Sequence, residues 1–568
     1  MHRTPTHLPA AFEPLATPRR SLIVKTLVVA LFVTTGCSRS ESSGANATGD
    51  PVRDLQRSAV ETGRCSVVHW GTNPDDYTQW QNHTNRIVPV FAFGTKGQGD
   101  GIDLASYAGK RSVYRDEAGL RKLYGRLPPA TLNPDAGYFD QTAITEIQEA
   151  ALEAGKKQII LVVFDGLDWH GLRASSIYRT GKSYDEGRGA GHFLQEYDAD
   201  GTTQFGEMVT SPFGEAPRLN VDTQAIAVPT ATGGYDVSQA GPHAWSTPTE
   251  PNYIKGLGSS TRHTYTDSAA SATSMHSGIK TFNGSINVAA DGRDVKPFGR
   301  LAQEKGYSAG VVTSVPVSHA TPACAYANNV LRGDYQDITR DMLGLPSVRH
   351  PDQPLEGLDV LIGAGHGCDV SSDSSQGANF VAGNKFLTRK DLEAIDHQRG
   401  GKYLVSQRTA GRSGRDNLLA DAVAAGNEKL RLFGYYGTRD QHLPYRTADG
   451  DYTPTVGKER TAEIYSPADI EENPTLADMT EAALIALSAR DKPFWLLVEA
   501  GDVDWASHDN NVDNMIGAIE SGDDAVRTIT KWVEENSSWQ DAVMIVTSDH
   551  GHYFVVRDLA AFGVLSGK

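Results

Sequence analysis

Four apolar runs in this chain each end in acidic, histidine or hydroxyl side chains, and this pattern constrains the fold more than any other feature. The runs are contained in KQIILVVFDG, VVTSVPVSHAT, PFWLLVEA and AVMIVTSDHGH. Their length and apolar character indicate buried strands, which are typical of parallel sheets. Because the carboxyl ends of parallel strands meet at one edge of a sheet, the runs predict an α/β fold with a large, mostly parallel sheet. The side chains expected at that edge are Asp165, His319, Thr321, Glu499, Asp549 and His550.

The segment TDSAASAT predicts a helix that begins at a serine. Asp267 is a suitable N-cap residue, which places Ser268 in the first turn, and Gly278 fits the end of the helix. The first turn of a helix presents free N–H groups that suit an anion. Most helices that start in this way are simply capped helices, so this segment alone does not assign a function.

A further pair of candidate ligands follows the PFWLLV run. Asp504 and His508 are four residues apart, which puts both side chains on one face of a helix. A carboxylate oxygen and an imidazole nitrogen that meet at one point suit zinc. A single pair of this kind is usually a surface hydrogen bond, but four strand ends that carry such groups indicate a shared metal site.

Together these motifs resemble those of the alkaline phosphatase family, from about Lys157 to Arg557. In family order the chain carries TDSAASAT, GIKTFNG, HATPA, a Glu-x4-Asp-x3-His segment and TSDHGH. The resemblance implies an alkaline-phosphatase-like three-layer sandwich, with helices on both faces of the sheet. It also implies hydrolysis of small phosphate monoesters through a phosphoserine, with two zinc ions (Zn2+) and one magnesium ion (Mg2+).

The resemblance implies a role for each candidate residue. Ser268 is implied as the nucleophile, and Arg332 as the arginine that clamps phosphate. The zinc ion that activates the serine oxygen is implied to bind Ser268, Asp165, Asp549 and His550. The other zinc ion is implied to bind Asp504 and His508. The magnesium site is implied to consist of Asp165, Thr321 and Glu499, with His319 beside it.

The chain departs from the family pattern at the second zinc ion. The family takes a third ligand from a histidine well downstream of the Asp504–His508 pair, whereas His552 is the only histidine after His550 here. In the family the equivalent of His552 more often orients a ligand. The sequence therefore predicts a catalytic domain at residues 151–568 that is short at its C-terminus.

Three other functions stay open at this point. Phosphodiesterases and phosphomutases of the same superfamily also combine a serine or threonine with clustered Asp and His side chains, and a fold alone does not decide chemistry. A non-enzymatic phosphate-binding protein with an incomplete zinc site is the third. Sulfatases are set aside, because their signature C/S-x-P-x-R does not occur in the chain.

The net charge and the N-terminal sequence predict the kind of partner and the cellular location of the protein. A net charge of −17 argues against nucleic acid as a partner. Residues 1–37 predict an export signal, because Arg19 and Arg20 precede an apolar stretch that is too short to span a membrane. We expect a protein in the periplasm or at the outer cell surface. A lipid anchor on Cys37 and a homodimer are both open expectations, and residues 38–50 predict a flexible linker.

Two segments match none of the family's motifs. Residues 51–150 contain apolar runs and turn signals, which predict an ordered N-terminal extension packed on the core. Residues 370–415 are polar and rich in Gly and Ser, which predicts a solvated surface loop or a cover over the mouth of the site or over an edge. Within residues 472–490, Thr475 and Asp478 predict a capped amphipathic helix.

Overall fold

The computed structural model describes residues 50–248 and 263–564. The predicted export signal at residues 1–37, including Cys37, and all but the last residue of the predicted linker at 38–50 lie outside this part of the chain. None of the described helices combines the length and the apolar character that a membrane crossing requires.

A ten-stranded sheet forms the centre of the fold. Its first seven strands in space all pair in parallel, in the order Tyr403–Gln407, Arg431–Tyr435, Val360–Ala364, Ser308–Pro316, Phe494–Ala500, Gln158–Phe164 and Ala542–Thr547. The sheet continues with Val88–Phe93, which runs antiparallel to both neighbours, and then with Gln204–Val209 and Phe139–Asp140. The four apolar runs of the sequence are neighbours in this sheet. This confirms the predicted large, mostly parallel sheet.

Alternating side chains of the central strands enter two separate hydrophobic cores. Ile160 and Val162 belong to one core, which includes apolar side chains of the helix Val512–Asn536. Ile159 and Leu161 belong to the other core, which includes those of the helix Ser268–Ser277. Because successive side chains of a strand point to opposite faces, helices cover both faces of the sheet. The predicted three-layer sandwich is therefore confirmed.

Short strand pairs and helices complete the described part of the chain. The short pairs are Val68–Trp70 with Phe554–Val556, Asp369–Val370 with Gly383–Asn384, and Leu219–Asn220 with Ala225–Ile226. The α-helices are Pro51–Thr62, Glu117–Tyr124, Ala143–Glu153, Trp169–Thr180, Phe193–Glu196, Val237–Ala240, Ser268–Ser277, Phe298–Glu304, Ala320–Cys324, Tyr335–Leu343, Arg389–Ile395, Gly414–Glu428, Pro467–Glu471, Leu476–Ser488, Asp502–His508, Val512–Asn536 and Leu559–Val564. Short 3-10 helices occur at Leu104–Ser106, Gly109–Arg111, Val113–Arg115, Ala199–Gly201, Ser374–Asn379 and His397–Arg399.

The two segments without family motifs both contribute strands to the central sheet. Residues 51–150 provide Val88–Phe93 and Phe139–Asp140. Residues 370–415 provide the edge strand Tyr403–Gln407, so the prediction of a plain surface loop is wrong there. The reason is local, since Tyr403 and Leu404 are buried by the neighbouring strand and helices.

The helix predicted within residues 472–490 is confirmed at Leu476–Ser488. Thr475 and Asp478 form the expected capping box, in which each side chain bonds the backbone N–H of the other residue.

Candidate active site and metal centre

Acidic and histidine side chains meet at the carboxyl ends of three adjacent strands. Asp165 follows the strand Gln158–Phe164, Glu499 is the second-last residue of the strand Phe494–Ala500, and Asp549 and His550 follow the strand Ala542–Thr547. All four side chains are fully buried. The edge predicted from the sequence therefore exists, and it brings these four groups together.

Ser268 is held at the start of a helix beside this edge. The Asp267 side chain caps the helix Ser268–Ser277, and Gly278 ends it in the left-handed region with φ of 66°. Left-handed backbone favours glycine, which explains why the helix stops there. The helix predicted from TDSAASAT is confirmed.

The side chains around Ser268 have the spacing of metal ligands. Ser268 Oγ lies 3.4 Å from Asp165 Oδ1 and 3.2 Å from His550 Nε2. His550 Nε2 also lies 3.4 Å from Asp165 Oδ1 and 3.3 Å from Asp549 Oδ2. Donor atoms on one tetrahedral zinc ion are about 3.3 Å apart, given the usual bond lengths. The four groups implied for the first zinc ion thus meet at one point.

The carboxylates of this cluster are buried close together, so their negative charges repel one another. Burial, and then the charges of Asp549, Asp504 and Glu499, raise the pKa of Asp165 well above its usual range. Burial also raises the pKa of Asp549 to about 6 and that of Glu499 to about 8. Among the described residues, Asp165 Oδ2, Asp549 Oδ2 and Glu499 Oε1 have no hydrogen-bond partner. Buried charges of this kind are normally paired or bound to a metal.

Asp504 and His508 lie on the helix Asp502–His508, as their spacing predicted, and His83 joins them. His508 Nε2 lies 3.0 Å from His83 Nε2 and 3.5 Å from Asp504 Oδ1. His83 Nε2 is 3.9 Å from the same carboxylate oxygen. The Nδ1–H of His83 donates to the carbonyl oxygen of Thr266 at 2.9 Å, which leaves the Nε2 lone pair of the neutral ring facing the site.

His83 reaches the site from the N-terminal part of the chain. It precedes the strand Val88–Phe93, and the next residue, Thr84, donates its N–H to the carbonyl of Gly551 at 3.0 Å. The His83 ring stacks on that of His550, with centroids 3.6 Å apart and planes at 16°. Burial lowers the pKa of His83 to about 4. The ring is therefore neutral near pH 7, which is the form that binds metals.

His552 contacts the second site in a different way. Its Nε2 lies 2.6 Å from Asp504 Oδ1. This distance is that of a strong hydrogen bond and is too short for two ligand atoms on one zinc ion. His552 therefore donates to Asp504 and orients it.

The groups implied for magnesium lie beside the first cluster. Donor atoms of Asp165, His319 and Glu499 lie within 4.8 Å of one another. Glu499 accepts a hydrogen bond from the hydroxyl of Thr313. The sequence motifs do not single out Thr313. The Thr321 side chain is fully buried at the start of the helix that follows His319. Carboxylate and hydroxyl oxygens form the kind of donor set that magnesium prefers.

Arg332 lies at the same cavity as Ser268, which has a volume of about 610 Å³. Its guanidinium donates to Asp267 Oδ2 and to His319 Nε2, both at 3.2 Å. Burial acts to lower the pKa of Arg332, but the charge of Asp267 outweighs it and raises the pKa. The structure thus places a permanent cation beside the serine.

His83 is a residue of the candidate site that the sequence motifs did not predict. The apolar run RIVPVFAFG after it predicts a packed extension, and the family pattern places the third ligand downstream of His508. The available signal was a histidine just before a strand-like run, the pattern that marked the other strand ends. That pattern was weaker here because His83 precedes its strand instead of following it.

Comparison with curated proteins gives several related phosphatases. The chain is 28% identical to alkaline phosphatase 3 of Bacillus subtilis over 52% of its length and 51% of that protein. It is 25% identical to alkaline phosphatase of Escherichia coli over 50% of its length and 58% of that protein. The chain therefore spans about half the length of the curated relatives it matches.

Solved structures and a family model complete the comparison. The structure of Thermus thermophilus alkaline phosphatase matches with 22% identity and a TM-score of 0.41, over 70% of this chain and 60% of that one. The structure of alkaline phosphatase from the Antarctic bacterium TAB5 matches with 20% identity and a TM-score of 0.40, over 70% of this chain and 80% of that one. The model of the alkaline phosphatase family matches residues 255–564, more than half of the sequence, and the chain belongs to that family.

Proposed function

We propose that this protein hydrolyses phosphate monoesters to an alcohol and inorganic phosphate, through a phosphoserine on Ser268. The observation that carries the proposal is the position of Ser268 Oγ, within 3.4 Å of both Asp165 and His550 and at one cavity with Arg332. A buried serine hydroxyl among potential metal ligands is arranged as a nucleophile.

The donor sets fit two zinc ions and one magnesium ion. Buried carboxylate oxygens without a partner are what a bound cation would satisfy. The first zinc ion would bind Ser268, Asp165, Asp549 and His550, and the second would bind His83, Asp504 and His508. Magnesium would bind Asp165, Thr321 and Glu499. When bound, these ions lower the pKa of the serine hydroxyl and offset the negative charge of the phosphoryl group.

The proposed reaction has two steps, with Ser268 as the nucleophile of the first and Arg332 binding the phosphoryl group in both. The Ser268 oxygen attacks phosphorus, the bond from phosphorus to the ester oxygen breaks, and the alcohol leaves. Water then attacks the phosphoserine, so that inorganic phosphate leaves and the Ser268 hydroxyl is restored. Arg332 binds the non-bridging oxygens in both steps and, being held by Asp267 and His319, needs little rearrangement.

The substrate is proposed to be a small phosphate ester rather than a nucleic acid. The net charge of −17 repels polyanions at long range, so attraction of a phosphate group has to be local. Arg332 and the proposed metal ions provide that local attraction.

The test is turnover of p-nitrophenyl phosphate by the chain loaded with zinc and magnesium. We expect hydrolysis that Ser268→Ala abolishes while the variant still binds inorganic phosphate. Phosphate binding without turnover by the native chain would contradict the proposal and favour a binding protein. Faster hydrolysis of bis-p-nitrophenyl phosphate than of the monoester would favour a diesterase.

A further inference from the structure

The cavity beside Ser268 has an aromatic wall to which the proposed chemistry assigns no role. Trp505 and Tyr445 line this cavity together with Ser268 and Arg332. The Trp505 side chain is half-buried, so part of the indole faces the open space. An ester whose phosphoryl group lies between Ser268 and Arg332 would place its leaving group in this cavity.

His442 lies next to this wall and is held as a cation. Its ring is fully buried, with Nδ1 against the carbonyl oxygen of Leu443 and Nε2 3.0 Å from Glu463 Oε1. The Tyr465 hydroxyl donates to the other oxygen of Glu463. A carbonyl and a carboxylate can only accept, so both nitrogens of His442 carry hydrogen.

The His442 ring meets the Trp505 ring almost perpendicularly, with centroids 5.1 Å apart and planes at 79°. The His442 ring also packs against the Tyr445 ring, with the two ring centroids 4.3 Å apart. His319 meets the same indole at 5.8 Å and 73°. Perpendicular ring contacts and the attraction between a cation and an aromatic ring both favour one orientation of the indole.

We propose that His442 is a positioning residue that fixes the Trp505 indole as a wall of the substrate cavity, and that this wall makes the site prefer phosphate esters with a planar, aromatic leaving group. The inference rests on the proposed phosphatase function. A fixed indole gives a flat leaving group a large contact area at little cost in side-chain entropy. His442 does not touch the reacting atoms, so it affects binding of the leaving group and not the chemical step.

The experiment compares p-nitrophenyl phosphate with ethyl phosphate, using the full chain loaded with zinc and magnesium. We expect His442→Gln to raise KM for the aromatic ester about two- to tenfold. KM for ethyl phosphate and kcat for both esters stay at the native values. His350→Gln is the matched control, because His350 bonds the carboxylate of Asp341 at 2.9 Å and does not line the cavity.

A second variant keeps the test informative if His442→Gln does not fold. Trp505→Ala removes the wall, and we expect it to abolish the preference for the aromatic ester. If His442 acts through Trp505, adding His442→Gln to Trp505→Ala changes the ratio of the two KM values no further.

Equal changes in KM for both esters, or a preference that survives Trp505→Ala, would overturn this inference. Failure of the native chain to hydrolyse either ester would instead contradict the proposed function.

Discussion

The Nε2 atoms of His83 and His508 lie 3.0 Å apart, although the two residues are far apart in the sequence. Two ring nitrogens approach this closely either as hydrogen-bond partners or as ligands of one ion. The hydrogen bond from His83 Nδ1–H to Thr266 fixes which nitrogen faces the site. Residues 51–150 therefore contribute a side chain to the candidate active site.

Removal of the His83 ring tests this arrangement. We expect His83→Ala to lose one of the two proposed zinc ions, because Asp504 and His508 alone provide too few ligands for a stable site. Elemental analysis after equilibrium dialysis against zinc gives the number of ions per chain. Two zinc ions bound to His83→Ala would contradict the assignment.

His552→Ala should behave differently, because His552 orients Asp504 without binding the ion. We expect both zinc ions to bind, with affinity at the second site about 10- to 100-fold lower. Competition with a chelator of known affinity measures this change. If His552→Ala lost an ion and His83→Ala kept it, the roles of the two histidines would be reversed.

The sheet and most of the site were predictable because their signals are local. Each of four apolar runs carries its functional groups within a few residues of the strand end, as with Asp165 after Gln158–Phe164. The helix at Ser268 could be predicted from its N-cap residue and its terminal glycine in the same way. Parallel pairing then brings these groups to one edge without further information.

His83 and His442 were not predicted, because their roles depend on distant contacts. His83 reaches the site because the strand that follows it, Val88–Phe93, pairs antiparallel with Ala542–Thr547. His442 is defined by Glu463 and Trp505, which lie on other parts of the chain. The position of His83 just before a strand-like run is a weak local signal, and no periodicity or short motif in the sequence reports the contacts of His442.

A buried ion pair outside the active site gives a prediction on stability. Lys280 Nζ lies 2.9 Å from Asp140 Oδ2, and both side chains are buried. We expect Lys280→Ala to lower the free energy of unfolding by about 3 kcal/mol or more, because the buried Asp140 carboxylate keeps its hydrogen bonds from Tyr114 and Thr142 but loses the cation that offsets its charge. Urea unfolding of the metal-loaded chain measures the difference.

Lys157 provides the control for that experiment. It also lies 2.9 Å from a carboxylate, that of Asp541, but both side chains are exposed. We expect Lys157→Ala to cost less than about 1 kcal/mol. Equal effects of the two substitutions would show that burial does not control the strength of these pairs.

The buried pair of His442 and Glu463 predicts a dependence of stability on pH. Burial acts to lower the pKa of His442, but the hydrogen bond and charge of Glu463, with the charge of Asp502, outweigh it and raise the pKa to about 9. The unfolded value is about 6.5. The contribution of charged His442 to the free energy of unfolding is therefore fully present below pH 6.5 and is lost as the pH rises through 9.

The free energy of unfolding of the native protein and of His442→Gln is compared at about pH 6 and pH 9.5. Between these values we expect the native protein to lose on the order of 3 kcal/mol more than His442→Gln loses. Urea unfolding of both proteins at the two pH values measures this difference, and effects of pH on metal binding are common to both. An identical fall in the two proteins would contradict a charged His442.

A phosphoserine on Ser268 distinguishes the proposed reaction from direct attack by water, and it can be trapped in acid. The metal-loaded chain is mixed with a phosphate monoester, quenched in acid within the first turnover and digested for mass spectrometry. We expect one phosphoryl group on Ser268 in the native chain and none in Ser268→Ala. Turnover of the ester with Ser268 unmodified at every quench time, or a phosphoryl group on another residue, would contradict it.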